Sequence, residues 1–270
     1  MTTEFSAVLA AIERAGPDSL RASVPADWLQ GRTVFGGMQM ALAARAMRLS
    51  MPDDIRALPL RSAQMTFVGP VAGNEPIELR AALLRRGKST VHARCDLVQA
   101  GAVGASAVAV FGVSRPSRFV RELPPPAPDK GPDDTSLPSL DKGFAPAFTR
   151  HFEARWAYGN VPFSGFPEPR SLIYGRLRDR ECGAEDALLA LADLIPTPVL
   201  SMLHEPAPAS SLSWMIEVLR DPAQLDLHGW CLIDTHVRAG TDGYLSQTSV
   251  LHGPDGHAYA VSHQTVGVFG

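Results

Sequence analysis

The sequence has few cysteines and no long hydrophobic run. Its three cysteines, Cys95, Cys182 and Cys231, are far apart and odd in number. This spacing predicts neither a disulfide framework nor a zinc site, so we expect buried or incidental thiols. No apolar stretch approaches the roughly 20 residues that cross a bilayer, and the first residues lack the basic start and apolar stretch of a signal peptide. We therefore expect a soluble protein of the cytoplasm.

The sequence also has little excess charge. Lys and Arg number 25 against 28 Asp and Glu, which leaves a formal net charge of −3. Such a balance provides no general attraction for nucleic acid or for an anionic membrane surface, so neither is expected as a partner. With 270 residues and 45% hydrophobic content, the chain can build one large core or two ordinary ones, as a globular enzyme does.

Prolines are concentrated near the middle of the chain. Residues 115–147 include three consecutive prolines at 124–126 and further prolines at 128, 132, 138 and 146. Proline at this density prevents helices and central strands, because it lacks an N–H group and has a fixed φ. The segment is therefore predicted to be a linker, which divides the chain into residues 1–114 and 148–270.

The two halves repeat one order of predicted elements. Each contains an apolar helix, at residues 38–50 and 185–194, followed by four strands. The strands are predicted at residues 20–24, 60–68, 77–84, 91–97 and 102–113 in the first half, and at 152–158, 171–176, 212–219, 230–237, 244–251 and 258–268 in the second. The repeat predicts an α+β protein with two copies of a helix packed on a curled antiparallel sheet. A single unrepeated α+β domain with a proline-rich insertion is the alternative.

Two segments carry a resemblance to a known family. Residues 27–40 contain Val-Phe-Gly-Gly before the first helix, and residues 230–264 contain Gly-Tyr, Asp-Gly and a closing Ala-Val-Ser-His-Gln. In order and separation these motifs resemble the acyl-CoA thioesterase II family of double hotdogs, over nearly the whole chain outside the linker. The resemblance implies a tandem hotdog, each half a long helix wrapped by a curled sheet, that hydrolyses acyl-CoA to free acid and CoA. It also implies a homodimer or higher homo-oligomer without a metal or organic cofactor.

Two polar residues in apolar surroundings are the first candidates for this chemistry, which needs an activated water and donors for the oxyanion. Gln264 lies in a row of small, mostly apolar side chains, and the resemblance matches it with the family's catalytic glutamine. Asp193 lies in an apolar helical segment, where an unpaired carboxylate is expensive to bury, so it is a candidate to orient or deprotonate water. The alternative for Asp193 is a helix-end aspartate that reaches solvent or caps the next turn.

Two further pairs of residues are candidates for binding the substrate. Gly36 and Gly37 begin a helix, whose unpaired N–H groups can face an oxyanion while glycine allows close approach. A helix start that merely needs tight packing is the alternative. At a turn, Arg86 and Lys88, with Arg85 beside them, are candidates to contact the CoA phosphates, unless they are simply solvated.

The sequence departs from the family pattern at two places. The resemblance implies an aspartate at the start of the strand after the second helix and a threonine on the following strand. Ser213 stands at the first place and Arg238 at or near the second, with Thr235 and Thr241 as alternatives. Either Asp193 replaces the lost carboxylate, or catalysis is weak, altered or absent.

Two other functions fit the same predicted fold. A hotdog hydratase or dehydratase would need a positioned histidine and acid for proton transfer at carbon, and neither helix has such a pair on or beside it. A catalytically silent acyl-CoA or lipid-binding protein would tolerate the departures at Ser213 and Arg238.

Overall fold

The computed structural model describes residues 2–16, 19–134, 136–139 and 145–269. Its helices are α1 Phe5–Ala10, α2 Gly36–Leu49, α3 Asp53–Arg56, α4 Ala184–Ala192 and α5 Pro198–Met202. The first-half strands are β1 Glu13–Arg14, β2 Leu20–Ser23, β3 Leu29–Gln30, β4 Thr33–Val34, β5 Leu60–Phe67, β6 Pro76–Arg86, β7 Thr90–Gln99 and β8 Ala102–Gly112. The second-half strands are β9 Phe152–Tyr158, β10 Arg170–Leu177, β11 Ala209–Val218, β12 Cys231–Thr241, β13 Tyr244–His252 and β14 Ala258–Val268. Short 3₁₀ helices lie at Ala26–Trp28, Ala147–His151 and Pro222–Gln224.

Helix α2 is buried on nearly all sides. Its segment is rich in Ala, Met and Leu, which are strong helix formers. A helix that is apolar all round belongs in a core rather than at a surface. It packs against β6 and β7 of its own half and against α4 of the other half.

Helix α4 is shorter, with nine residues. Glu185 and Asp186 occupy its first turn, where the helix dipole favours acidic side chains. Asp193 takes the C-terminal cap position, Pro196 then prevents the helix from continuing, and Pro198 begins the separate helix α5. The end of α4 therefore places the Asp193 side chain beside the start of α2.

Twelve strands form one antiparallel sheet, and β3 pairs separately with β4. The sheet order is β1-β2-β6-β7-β8-β5-β11-β14-β13-β12-β10-β9. Strands β5 and β11 join the halves, in a register that runs from Thr66 opposite Ser213 to Ser62 opposite Glu217. One core of buried apolar side chains extends through both halves. The two halves therefore share both a sheet and a core.

The sheet repeats one pattern outward from the junction between β5 and β11. The order β5-β8-β7-β6 on one side matches β11-β14-β13-β12 on the other. In the β6–β7 hairpin, the register shifts directly after the β6 residue that pairs with Ala93. In the β12–β13 hairpin, it shifts directly after the β12 residue that pairs with Gln247. Ala93 pairs with Ala109, and Gln247 pairs with Gln264. This correspondence makes the alanine pair the first-half counterpart of the glutamine pair.

The predicted helix and antiparallel strands of each half are confirmed, in the predicted order. Their ends differ by a few residues, since α2 begins at Gly36 and α4 ends at Ala192. The helix expected to be long in each half has 14 residues in α2 but only nine in α4. The structure adds short elements without a clear periodic pattern, such as α1, α5 and the β3–β4 hairpin. Curling of the sheet stays a prediction.

The proline-rich segment connects β8 to the 3₁₀ helix Ala147–His151. Its described residues contain no helix or strand, apart from an isolated bridge between Ser139 and Arg155. Residues 135 and 140–144 of the predicted linker lie outside the described part, and the domain boundaries stay a prediction. Among the described helices, none has the length and apolar character needed to span a membrane.

Candidate active site

Asp193 contacts polar groups from both halves of the molecule. Its Oδ1 accepts from Gln264 Nε2 at 2.6 Å, and the backbone N–H of Gly37 faces the same carboxylate. Burial raises the pKa of Asp193 from 3.8 to about 7, while these two polar groups act in the opposite direction. The carboxyl group can therefore accept and release a proton near neutral pH.

The two glycines at the start of α2 let this helix approach Asp193 closely. A Cβ atom on Gly36 would lie 2.6 Å from Asp193 Oδ2 and 3.1 Å from Phe67 Cζ. A Cβ atom on Gly37 would lie 2.6 Å from the ring of Phe35. Neither position has room for a side chain, so the start of α2 lies directly beside the Asp193 carboxylate. The positive end of the helix dipole there favours the ionised form of the carboxylate.

Gln264 is held between Asp193 and a second glutamine, Gln247. The Nε2 of Gln247 donates to Gln264 Oε1 at 2.6 Å. Strands β13 and β14 set this contact, since the two glutamines are directly opposite each other and share one face. Sequence reasoning missed Gln247 because a lone glutamine on a strand has no distinguishing local pattern. Its partner becomes visible only through the register.

The hydrogen-bonded chain of Gln247, Gln264 and Asp193 lies in the wall of a cavity of 660 Å³. This volume is within the usual range of small-molecule sites. Much of the remaining wall is apolar, and it includes Phe148, Trp156, Phe163, Leu194, Ile195 and Leu200. Among the described residues that line the cavity, Asp193 is the one ionisable side chain. Such a cavity suits a ligand with an apolar body and a polar reactive group.

Ser211 on β11 also lines this cavity. It pairs with Val266, which lies on the same face of β14 as Gln264. A register shift after Ser211 then places Ser213 opposite the exposed Thr265. The bulge therefore puts the two serines on opposite faces of the sheet, although simple alternation predicts one face. The Ser211 hydroxyl is a further polar group that sequence reasoning missed, and Ser213 points away from the cavity.

Two family models match this chain. The model described as the acyl-CoA thioesterase N-terminal domain matches residues 24–112, and the one described as the acyl-CoA thioesterase C-terminal domain matches residues 121–268. The chain belongs to the acyl-CoA thioesterase family. This finding confirms the family predicted from the sequence.

Solved structures similar to this thioesterase-family chain cover almost all of it. A hotdog-fold protein of unknown function from Alicyclobacillus acidocaldarius is 23% identical, with a TM-score of 0.84, over 100% of this chain and 99% of its own. A putative thioesterase II from Thermobifida fusca is 18% identical, with a TM-score of 0.80, over 99% and 98%. An acyl-CoA thioesterase II from Mycobacterium marinum is 19% identical, with a TM-score of 0.76, over 96% of each chain. These similarities show the hotdog fold. None of the curated proteins compared with the chain matches it.

Three further predicted site residues of this acyl-CoA thioesterase family member lie away from the cavity. Arg238 occupies the bulge of β12, and its Nε donates to Thr248 Oγ1 at 2.7 Å. The Arg86 guanidinium pairs with the Asp54 carboxylate, with Nη1 3.3 Å from Oδ1. Lys88 is exposed. None of the three belongs to the described residues that line the cavity.

The remaining candidates have structural partners of their own. Thr235 is buried, with its Oγ1 2.8 Å from Ser249 Oγ, and Thr241 ends β12 at the surface. The Gly37 N–H, expected to face an oxyanion, instead faces the Asp193 carboxylate. The glycine pair therefore supports the acid in this structure rather than facing the cavity directly.

The three cysteines are not among the described residues that line the cavity. All three cysteines are free and buried, as predicted. Burial raises the pKa of Cys231 to about 12, so its thiol stays protonated near neutral pH. Within the described residues, no three His, Cys, Asp or Glu side chains come together as a metal site would require.

Proposed function

We propose that this protein hydrolyses an acyl-CoA thioester to a free carboxylic acid and CoA. The observation that carries the proposal is the hydrogen bond between Asp193 and Gln264 at the wall of an apolar cavity. The cavity suits an acyl chain, and a carboxyl group of near-neutral pKa is what the reacting end needs as a general base. Membership of the acyl-CoA thioesterase family supports the choice of substrate.

In the proposed reaction, water is the nucleophile and Asp193 moves the proton. The Asp193 carboxylate takes a proton from water as the water oxygen attacks the thioester carbonyl carbon. The C–S bond then breaks, and the proton held by Asp193 passes to the CoA sulfur. Because an amide NH₂ group has two donors, Gln264 has one N–H left for the water or the carbonyl oxygen, and the Ser211 hydroxyl can assist. No covalent bond to the protein forms.

The setting of the reaction is inferred from the family. We infer that the protein needs no metal or organic cofactor, acts as a homodimer or higher homo-oligomer, and works in the cytoplasm. We also infer that its two hotdogs span residues 1–114 and 148–270. A hydratase or dehydratase is disfavoured, because no histidine is among the described residues that line the cavity.

A thiol-release assay across acyl-CoA chain lengths tests the proposal. Asp193→Asn should lower kcat by about 10²- to 10⁴-fold, which is the usual contribution of a general base. Asp129→Asn, which makes the same change at an exposed position of the proline-rich segment, should leave kcat unchanged. If the wild-type protein binds CoA esters yet releases no thiol above background, the hydrolase assignment fails and a binding protein remains.

The pH dependence gives a second test of the same assignment. Because the ionised carboxylate is the active form, kcat/KM should rise with pH and level off above a midpoint near the Asp193 pKa of about 7. Asp193→Asn should lose this limb, since an amide does not titrate. A wild-type profile that is flat between about pH 5 and about pH 8 would contradict a role for Asp193 as the base.

A further inference from the structure

Gln247 is a buried amide with one bonded end and one unbonded end. Its side chain is 3% exposed, and its Nε2 donates to Gln264 Oε1 at 2.6 Å. Its own Oε1 is buried and has no hydrogen-bond partner among the described residues. An unpaired buried acceptor is unfavourable for stability, so packing alone does not explain a glutamine at this position.

The first half of the molecule provides an internal comparison for this position. The counterparts of Gln247 and Gln264 are Ala93 and Ala109, which are both buried and directly opposite each other. The same sheet geometry therefore forms with two small apolar side chains. The glutamine pair is present in the half that contributes Asp193, which indicates a function of the site rather than a need of the fold.

The amide of Gln264 has two possible orientations beside Asp193. When the carboxyl group is ionised it only accepts, so it selects Gln264 Nε2. When the carboxyl group is protonated it can also donate, and then Gln264 Oε1 is an equally good partner. If the Gln264 amide rotated with each proton transfer, it would no longer present its N–H donor to water or substrate.

Gln247 opposes this rotation, because its Nε2 donates to Gln264 Oε1 from the side away from Asp193, and Gln264 cannot rotate without breaking that bond unless the buried Gln247 amide rotates as well. We propose that Gln247 is a positioning residue that locks the Gln264 amide in one orientation, with Nε2 toward Asp193, whether or not that carboxyl group is protonated. The catalytic meaning of this inference rests on the proposed hydrolase function. The fixed orientation of the Gln264 amide is itself a property of the protein without substrate.

The electrostatic surroundings make a direct titration of Asp193 interpretable. The groups that face its carboxyl are the Gln264 amide, on β14, and the Gly37 N–H, on α2. No other ionisable side chain is among the described residues that line the cavity. A change in the Asp193 midpoint therefore reports its hydrogen bonds and its hydration.

The test is a pH titration of the full-length protein with isotope-labelled aspartate carboxyl groups, followed by NMR. The Asp193→Asn variant identifies the signal of Asp193. We expect Gln247→Met to raise the midpoint by about one pH unit, because a rotated Gln264 can then stabilise the protonated carboxyl. A purely structural role predicts the opposite sign. In that case a packing defect would admit water, and hydration lowers the pKa of a buried carboxyl.

Two further variants complete the experiment. Gln247→Leu adds no charge and cannot donate, so the midpoint should rise again, which keeps the inference testable if Gln247→Met does not fold. Thr248→Val, on the opposite face of β13, should leave the midpoint unchanged. A midpoint that falls or stays constant in the folded Gln247 variants overturns the inference. Thiol release is measured in parallel. If the wild-type protein shows no turnover, the proposed function fails, while the titration still tests whether Gln247 fixes the orientation of the Gln264 amide.

Discussion

At the scale of single residues, Gly36 has no room for a side chain beside Asp193. A Cβ atom there would lie 2.6 Å from Asp193 Oδ2, so Gly36→Ala should push the carboxylate out of place. We expect kcat to fall about 100-fold, because a displacement of about 1 Å at a reacting group has an effect of that size. The melting temperature should fall only modestly, because the atom in closest contact is the end of the Asp193 side chain, which can move, and alanine favours the helix that begins here. Thiol-release kinetics and a melting curve measure the two effects.

Gly69→Ala is the matched control for this prediction, because a Cβ atom on Gly69 would have no neighbour within 4 Å among the described residues. It should leave both kcat and the melting temperature unchanged. Wild-type kcat in Gly36→Ala would show that the carboxylate position is not critical.

At the scale of elements, α2 and α4 are tied together at the end away from Asp193. Arg48 near the end of α2 pairs with Glu185 in the first turn of α4, with Nε 2.7 Å from Oε1. Both side chains are only 16% exposed. Arg48 also donates to the Leu58 carbonyl at 3.0 Å, and its guanidinium lies 4.6 Å from the centre of the Phe111 ring. This pair connects the two helices whose other ends meet at Asp193.

Arg48→Ala should lower the free energy of unfolding by about 3 kcal/mol, because it leaves the Glu185 carboxylate partly buried without its partner. Urea unfolding of Arg48→Ala, Glu185→Ala and the double variant measures the coupling. The double variant should lose clearly less stability than the sum of the single losses. Additive losses would show that the pair contributes no coupling. The folded variants should keep their thiol-release rate, since Asp193 is at the opposite ends of the helices.

At the scale of the whole molecule, the sheet and the core extend across both halves, and we expect them to hold the halves together without the connecting chain. Phe119 and Val120, in the proline-rich segment, are 77% and 76% exposed. We expect brief chymotrypsin treatment to cut after Phe119 and to leave two fragments that migrate together in gel filtration. The pairing of β5 with β11 and the shared core should hold them in one particle.

Phe119→Ser removes the cleavage site and serves as the control for this cut. Denaturing electrophoresis should show two fragments from the wild-type protein and an intact chain from the variant. Separation of the nicked protein into two native peaks would show that the linker, rather than the shared sheet, joins the halves.

The sequence by itself determined the elements, their repeat and two polar residues that the structure places in the cavity wall. Apolar periodicity and proline positions are local, so they identified both main helices, the strands of each half and the segment between them. Asp193 and Gln264 could be singled out because each is polar in an apolar segment, and an unpaired polar group is unfavourable in such surroundings.

Only the tertiary structure decided which residues meet. Gln264 is 71 residues from Asp193 and 17 from Gln247. The position of the α4 end sets the first contact, and the register of β13 and β14 sets the second. The bulge after Ser211 reversed the faces of the two serines, a shift that alternation does not reveal. Arg86 instead found a nearby carboxylate away from the cavity. Register, bulges and the β5–β11 junction depend on packing between distant segments, which a local sequence pattern does not encode.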